Sequence, residues 1–150
     1  MTRAKITDIR PVDAENQVVT VVGGTGSYRR SPCPDCPWRK DAMGKFPAEA
    51  FRHSANTAHD MSDRGFGCHE SGTGKPALCA GFLLRGAEHN LKVRMRQMRG
   101  ESFSDVSAGG LELHGDYVEM AVANGVAEDD PALSACRRGS HATKGDRPWR

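Results

Sequence analysis

Two stretches near the N-terminus are built from β-branched residues around a short polar break. Ile6 to Val12 and Gln17 to Val22 flank the turn Asp13-Ala14-Glu15-Asn16, and the second holds Val18-Val19-Thr20-Val21-Val22 before Gly23-Gly24. β-Branched side chains suit a pleated backbone and the glycines end it, so the pattern predicts a β-hairpin. Farther along, the apolar spacing becomes helical. Pro47 to about His59 has proline in a first-turn position, Glu49 near the positive end, and Ala50, Phe51 and Ala55 behind them. Leu78, Cys79, Phe82, Leu83, Leu91, Val93, Met95 and Met98 predict one longer helix from about Pro76 to Arg99. Gly81 and Gly86 weaken that helix, and the basic/apolar alternation of Lys92 to Arg99 also suits a strand. Asp116 to Val122 reads as a third short helix, with Tyr117, Met120 and Ala121 on one face and Asn124-Gly125 as its stop.

The pattern thus predicts an α+β fold, a hairpin followed by two to three helices. It divides into a hairpin at 1–27, a cysteine-rich core at 28–100, a helical extension at 101–127 and a tail at 128–150. The tail opens with Glu-Asp-Asp-Pro and continues as a mixed polar run to Arg150, so it is expected to be disordered, with Cys136 a bystander in it.

The chemistry lies in the core. Cys33 and Cys36 form a Cys-x2-Cys pair, stiffened by Pro32, Pro34 and Pro37, and Cys68, His69 and Cys79 follow. A short Cys-x2-Cys turn lets two sulfurs face one point, which is how zinc sites commonly begin. Cys33, Cys36 and Cys79 are expected as ligands, with Cys68 or His69 as the fourth. Cys68 is preferred, giving an all-thiolate, zinc-finger-like site in which His69 donates a hydrogen bond to a sulfur. An iron–sulfur cluster is the alternative, because four thiolates and Cys-Pro steps also serve clusters. A Cys33/Cys36 dithiol is a third reading, but no βαβ pattern frames it.

Composition supports a metal staple. Hydrophobic residues make up 37% and aromatics 6% of 150 residues, so the apolar core is small. No apolar leader and no membrane-length run is present, which points to a reducing cytoplasm. The net charge of +2 is partitioned: residues 28–100 carry +6 and residues 101–150 carry −4. Trp38, Arg39, Lys40, Arg85, Lys92, Arg94, Arg96 and Arg99 are therefore expected to form a basic binding surface for nucleic acid or a protein partner. Catalysis has little to stand on. Ser102, Ser104 and Ser107 lie in a polar linker, the histidines are scattered, and Gly23-Gly24-Thr25-Gly26 lacks the Lys-Ser/Thr of a phosphate loop.

The segments Ser31-Pro-Cys-Pro-Asp-Cys-Pro-Trp-Arg-Lys40, Phe46-Pro-Ala-Glu-Ala-Phe51, Phe66-Gly-Cys-His69 and Cys79-Ala-Gly-Phe-Leu83 together resemble a family of small cysteine-rich proteins of unknown function. Its members are encoded by actinobacterial phages, prophages and related bacterial genomes. The resemblance covers about residues 28–100 and implies that the Cys-x2-Cys-Pro-Trp-Arg and Cys-His elements belong to one site. It also implies a phage or prophage setting in a bacterial host cytoplasm, where a zinc-stabilised protein would bind a host protein or nucleic acid.

Overall fold

The computed structural model describes residues 2–14, 16–24, 26–72 and 74–140. Strands β1 (Thr2–Pro11) and β2 (Gln17–Gly24) pair antiparallel, with Ile6 opposite Val21 and Ile9 opposite Val19. Asp13 and Asn16 close the turn: the Asn16 amide donates to Asp13 Oδ1 at 2.8 Å, and the amides of Val12 and Asp13 donate to Asn16 O. A two-stranded ribbon is marginal alone, and this one leans on the rest of the chain through β2, which packs beside α1 (Ala48–Ser54). With α2 (Leu91–Met98) and α3 (Tyr117–Ala123) the architecture is α+β, a hairpin and three helices of seven or more residues.

α1 begins directly after Pro47 and passes into a 3₁₀ turn over Ala55–Ala58, so the helical stretch ends just before His59. α3 is started by Asp116, whose Oδ1 accepts the Glu119 amide at 3.0 Å, and stopped at Gly125, where φ is 101°. An aspartate N-cap and a glycine past the last turn are the usual chemistry of helix ends.

The expected single helix over 76–99 is broken into three pieces. Ala77, Leu78 and Cys79 are extended: Leu78 bridges Tyr28 on one side and Gly67 on the other. A short helical segment then begins and widens into a π turn over Phe82–Gly86. The chain turns at Ala87–Asn90, and α2 starts afresh with Asn90 as its cap, Oδ1 accepting the Val93 amide at 3.1 Å. Gly81 and Gly86 are there for a neighbour. A Cβ on Gly81 would stand 2.4 Å from Trp38 Cβ, and one on Gly86 2.5 Å from Trp38 Cη2. The two glycines form the slot that admits the indole. Gly81→Ala should therefore destabilise the protein by about 1–3 kcal/mol through overpacking, although alanine is the better helix former. Urea denaturation would check this, and a stabilised variant would contradict the slot.

Trp38 is fully buried at the centre of the core. Its ring meets Phe66 and Tyr117 edge-on, with centroids 5.8 and 6.0 Å away, and Phe66 stacks on Phe82 at 6.3 Å. Tyr117 is anchored through its hydroxyl, which donates to Phe51 O at 2.6 Å. Offset and edge contacts of this kind are the favourable aromatic geometries.

The expected disorder from 128 onward does not hold for residues 128–140. Asp130 caps a 3₁₀ turn over Pro131–Leu133, and its carboxylate pairs with Arg52 at 2.8 Å. Cys136 is buried: its thiol donates to Ala55 O at 3.4 Å, and Arg137 N donates to Ala58 O at 2.9 Å. Leu133 and Arg138 are buried as well. Cys136 is thus a core residue of this small domain rather than a bystander. Residues 141–150 of the expected tail lie outside the described residues.

Candidate metal centre

Three chain segments carry the four cysteines to one buried region. The first is the proline-stiffened knuckle, in which the Cys36 amide donates to Cys33 O at 3.1 Å and the Arg39 amide to Cys36 O at 3.0 Å. Arg39 closes it from outside, donating to Cys33 O at 3.2 Å while holding Asp41 at 2.7 Å. The second segment is Phe66 to Ser71. Cys68 N donates to Ala77 O at 2.7 Å, and Ser71 donates to Cys68 O through both its amide and its hydroxyl. The third is Cys79, whose amide donates to Phe66 O at 2.9 Å and whose carbonyl opens the next helical segment by accepting Leu83 N. Cys68 and Cys79 thus sit on neighbouring segments joined by the Gly67–Leu78 bridge.

All four cysteines are at most 6% exposed and none is in a disulfide. Cys36 Sγ and Cys79 Sγ lie 3.5 Å apart, far beyond the roughly 2.05 Å of a disulfide. Tetrahedral zinc with Zn–S bonds near 2.3 Å sets neighbouring sulfurs about 3.8 Å apart, so the pair is spaced as two ligands of one ion would be. Cys33 has Cys68 as its strongest electrostatic neighbour. On its other side Cys33 Sγ lies 3.8 Å from His69 Nδ1. The His69 ring is held edge-on by Phe46 at 5.2 Å. Cys33, His69 and Glu70 present ligand atoms all within 4.8 Å of one another, a group that can hold a metal ion.

Burial and close neighbours perturb the thiols of this region. Cys36 is drawn down to about 7, chiefly by the hydrogen bond from Cys79, helped by the backbone amides of Trp38, Gly81 and Arg39. Cys79 is correspondingly raised by that same bond and then by burial. The two thiols are shifted in opposite directions by the one bond between them. Cys33 is pushed up to about 12 by burial first, then by the neighbouring Cys68 and Cys36. A metal bound here would neutralise the charge that burial and crowding make costly on Cys33 and Cys79. Soft sulfur with imidazole suits zinc or an iron–sulfur cluster and not magnesium or calcium.

The knuckle, Cys68 and Cys79 come to one region, but among the described residues no three of the four cysteine sulfurs lie within 4.8 Å of one another; Cys33, His69 and Glu70 are the group that does. Glu70 is the ligand-type residue that sequence reasoning passed over; its adjacency in Cys68-His69-Glu70 was the available signal. The expected basic surface is only partly assembled. Trp38 is fully buried in the core, so it cannot belong to a binding surface. Arg96 is also buried, holding Glu101 at 2.9 Å and Gly26 O at 2.7 Å, which makes it a tie between α2 and the loop after the hairpin. Arg39 is half-buried in the knuckle and Arg85 half-buried in the π turn, whereas Lys40, Lys92, Arg94 and Arg99 are exposed. His114 is buried, and burial, then Lys40, lowers its pKa, so it is a neutral core group rather than an exposed base. Among the described residues, no helix is long and apolar enough to cross a membrane.

Comparison with known proteins places this centre in a family. The model of the Family of unknown function (DUF6283) matches residues 28–137, well over half of the chain. That span begins after the hairpin, holds all five cysteines, and reaches beyond the expected limit at 100 to take in α3 and the packed segment with Cys136. No curated protein and no solved structure matches the chain. The chain therefore belongs to the Family of unknown function (DUF6283).

Proposed function

We propose that this is a non-catalytic, zinc-stapled binding protein. Zinc would be held by Cys33, Cys36, Cys68 and Cys79, or with His69 in place of Cys68, and would lock the knuckle, the loop and the 80–86 segment around Trp38. The observation that carries the reading is the burial of four unbridged thiols from three segments, with Cys36 and Cys79 at ligand spacing. A site closed by four protein ligands stabilises the fold and leaves no position for a substrate. The job then falls to the surface. There a host protein or nucleic acid, in a phage or prophage setting, would meet the exposed basic residues.

Cobalt replacement tests the ligand set. Tetrahedral thiolate coordination of Co(II) gives intense visible absorbance, whose pattern reports how many sulfurs bind. We expect His69→Gln to leave that spectrum unchanged and Cys68→Ser to alter it; the reverse would make His69 the fourth ligand.

A second reading has one observation in its favour. Cys36 lies 3.5 Å from Cys79, and Cys33 has Cys68 as its strongest electrostatic neighbour, so the thiols group two and two. A two-iron cluster takes two thiolates on each iron, so this pairing also suits an iron–sulfur redox protein. The dithiol reading is weaker, because Cys36 partners Cys79 rather than Cys33.

A further inference from the structure

Helix α2 buries Val93 and Arg96 and turns Lys92, Arg94, Met95 and Met98 to the outside, with Arg99 following. Met98 is 85% exposed and Met95 46%. Residues three and four apart are neighbours on a helix, so Met95 and Met98 touch one patch, flanked by Arg94, Lys92 and Arg99. A third methionine joins from another segment. Met61 is 44% exposed and approaches Arg94, with Sδ 3.9 Å from Nη1.

Met61 is held there at a cost. Its φ is 57°, which among the described residues no other non-glycine residue matches in sign. Left-handed backbone is unfavourable for a side chain with a Cβ, and it persists where the surroundings enforce it. Here the Met61 amide donates to His89 O at 2.8 Å, and Ser62 O accepts Leu91 N at 2.7 Å, clamping the loop onto the start of α2. Lys92, Arg94 and Arg99 make no ion pair among the described residues, whereas Arg96 has Glu101.

We infer that the Met61–Met95–Met98 face with Lys92, Arg94 and Arg99 docks an acidic protein segment carrying apolar anchor residues. The inference rests on the reading of the chain as a binding protein and names the partner class. Methionines are flexible and polarisable and adapt to varied apolar side chains, which is why they recur at peptide-binding surfaces. The unpaired cations supply the complement to acidic flanks. Nucleic acid fits less well, because no aromatic ring lies on the face to stack a base. A second copy of the chain is disfavoured, because a two-fold contact would set three like charges against three.

The full, metal-loaded chain would be titrated into a fluorescein-labelled peptide with leucines at helical spacing and glutamates between them, read by fluorescence anisotropy. The controls are the same peptide with every leucine replaced by serine, and a labelled single-stranded oligonucleotide. We expect the leucine peptide to bind best. Met98→Glu, at a position too exposed to affect folding, should weaken it by about tenfold or more. Lys92→Gln with Arg94→Gln should weaken it and flatten its salt dependence. Equal binding of the serine peptide, tighter binding of the oligonucleotide, or wild-type affinity in Met98→Glu would overturn the inference. Circular dichroism and bound metal, measured on each sample, separate the two readings. A folded, metal-loaded protein that ignores the leucine peptide overturns the docking surface alone. A metal-free folded protein that binds the peptide through Met98 overturns the zinc staple and supports the surface.

Discussion

Replacing Cys36 by serine is expected to abolish metal binding and unfold the core. Cys36 is fully buried, 3.5 Å from Cys79, and the hydrogen bond with Cys79 and the backbone of Trp38, Gly81 and Arg39 draw its thiol down. Structural zinc contributes on the order of 10 kcal/mol in small metal domains, whereas a whole domain is stable by only about 5–15 kcal/mol. Removing one of the proposed ligands should thus remove most of the margin in a chain whose hydrophobic content is 37%. Circular dichroism and metal content, measured together, check the prediction. Cys136→Ser is the matched control: it too is a buried cysteine, but it lies against Ala55 and is assigned no metal. It should keep its metal and lose about 1 kcal/mol, within the usual range for a conservative core change. If both variants melt alike, the cysteines of the centre are ordinary core residues.

The second large effect is expected at Asp116. Its carboxylate is buried and does three jobs: Oδ1 caps α3 through Glu119 N, and Oδ2 accepts Arg138 Nε at 2.6 Å and Gly139 N at 3.1 Å. Asp116→Ala strips the buried Arg138 of this carboxylate, leaving Glu119 at 3.9 Å as the nearby acid. Breaking a buried pair from one side costs about 3–5 kcal/mol, and losing the cap adds about 1 kcal/mol. Arg138→Met should cost less, because Asp116 then keeps two amide donors. Urea denaturation measures the loss, and limited proteolysis should show residues 131–140 released in Asp116→Ala but held in the wild type. A loss below about 1 kcal/mol would mean that this pair does not fasten the segment.

Local chemistry made the hairpin, α1 and α3 legible. The run Val18 to Val22, Pro47 before α1, and Asp116 with Gly125 around α3 are signals confined to neighbouring residues, and the backbone follows them. What was not legible depends on partners distant in sequence. The apolar spacing of Leu78 to Met98 suits a helix, but Gly81 and Gly86 answer to Trp38, and Leu78 answers to Tyr28 and Gly67. The segment after Glu128 is polar enough to look disordered. Its charges are spent on Arg52 and Asp116, which no local pattern reveals. The centre divides in the same way. The Cys33/Cys36 knuckle is a local motif, whereas the pairing of Cys36 with Cys79, and of Cys33 with Cys68 and His69, is set by the fold. Trp38 and Arg96 were placed on the surface from residue type alone, and burial is what composition does not carry.

In the proposed centre a zinc ion ties together Cys33, Cys36, Cys79 and Cys68 or His69. Elemental analysis with an absorbance spectrum, on protein purified without oxygen, tests it most directly. About one zinc per chain and no visible colour are expected. Iron with acid-labile sulfide, or a folded chain holding no metal at all, would contradict it.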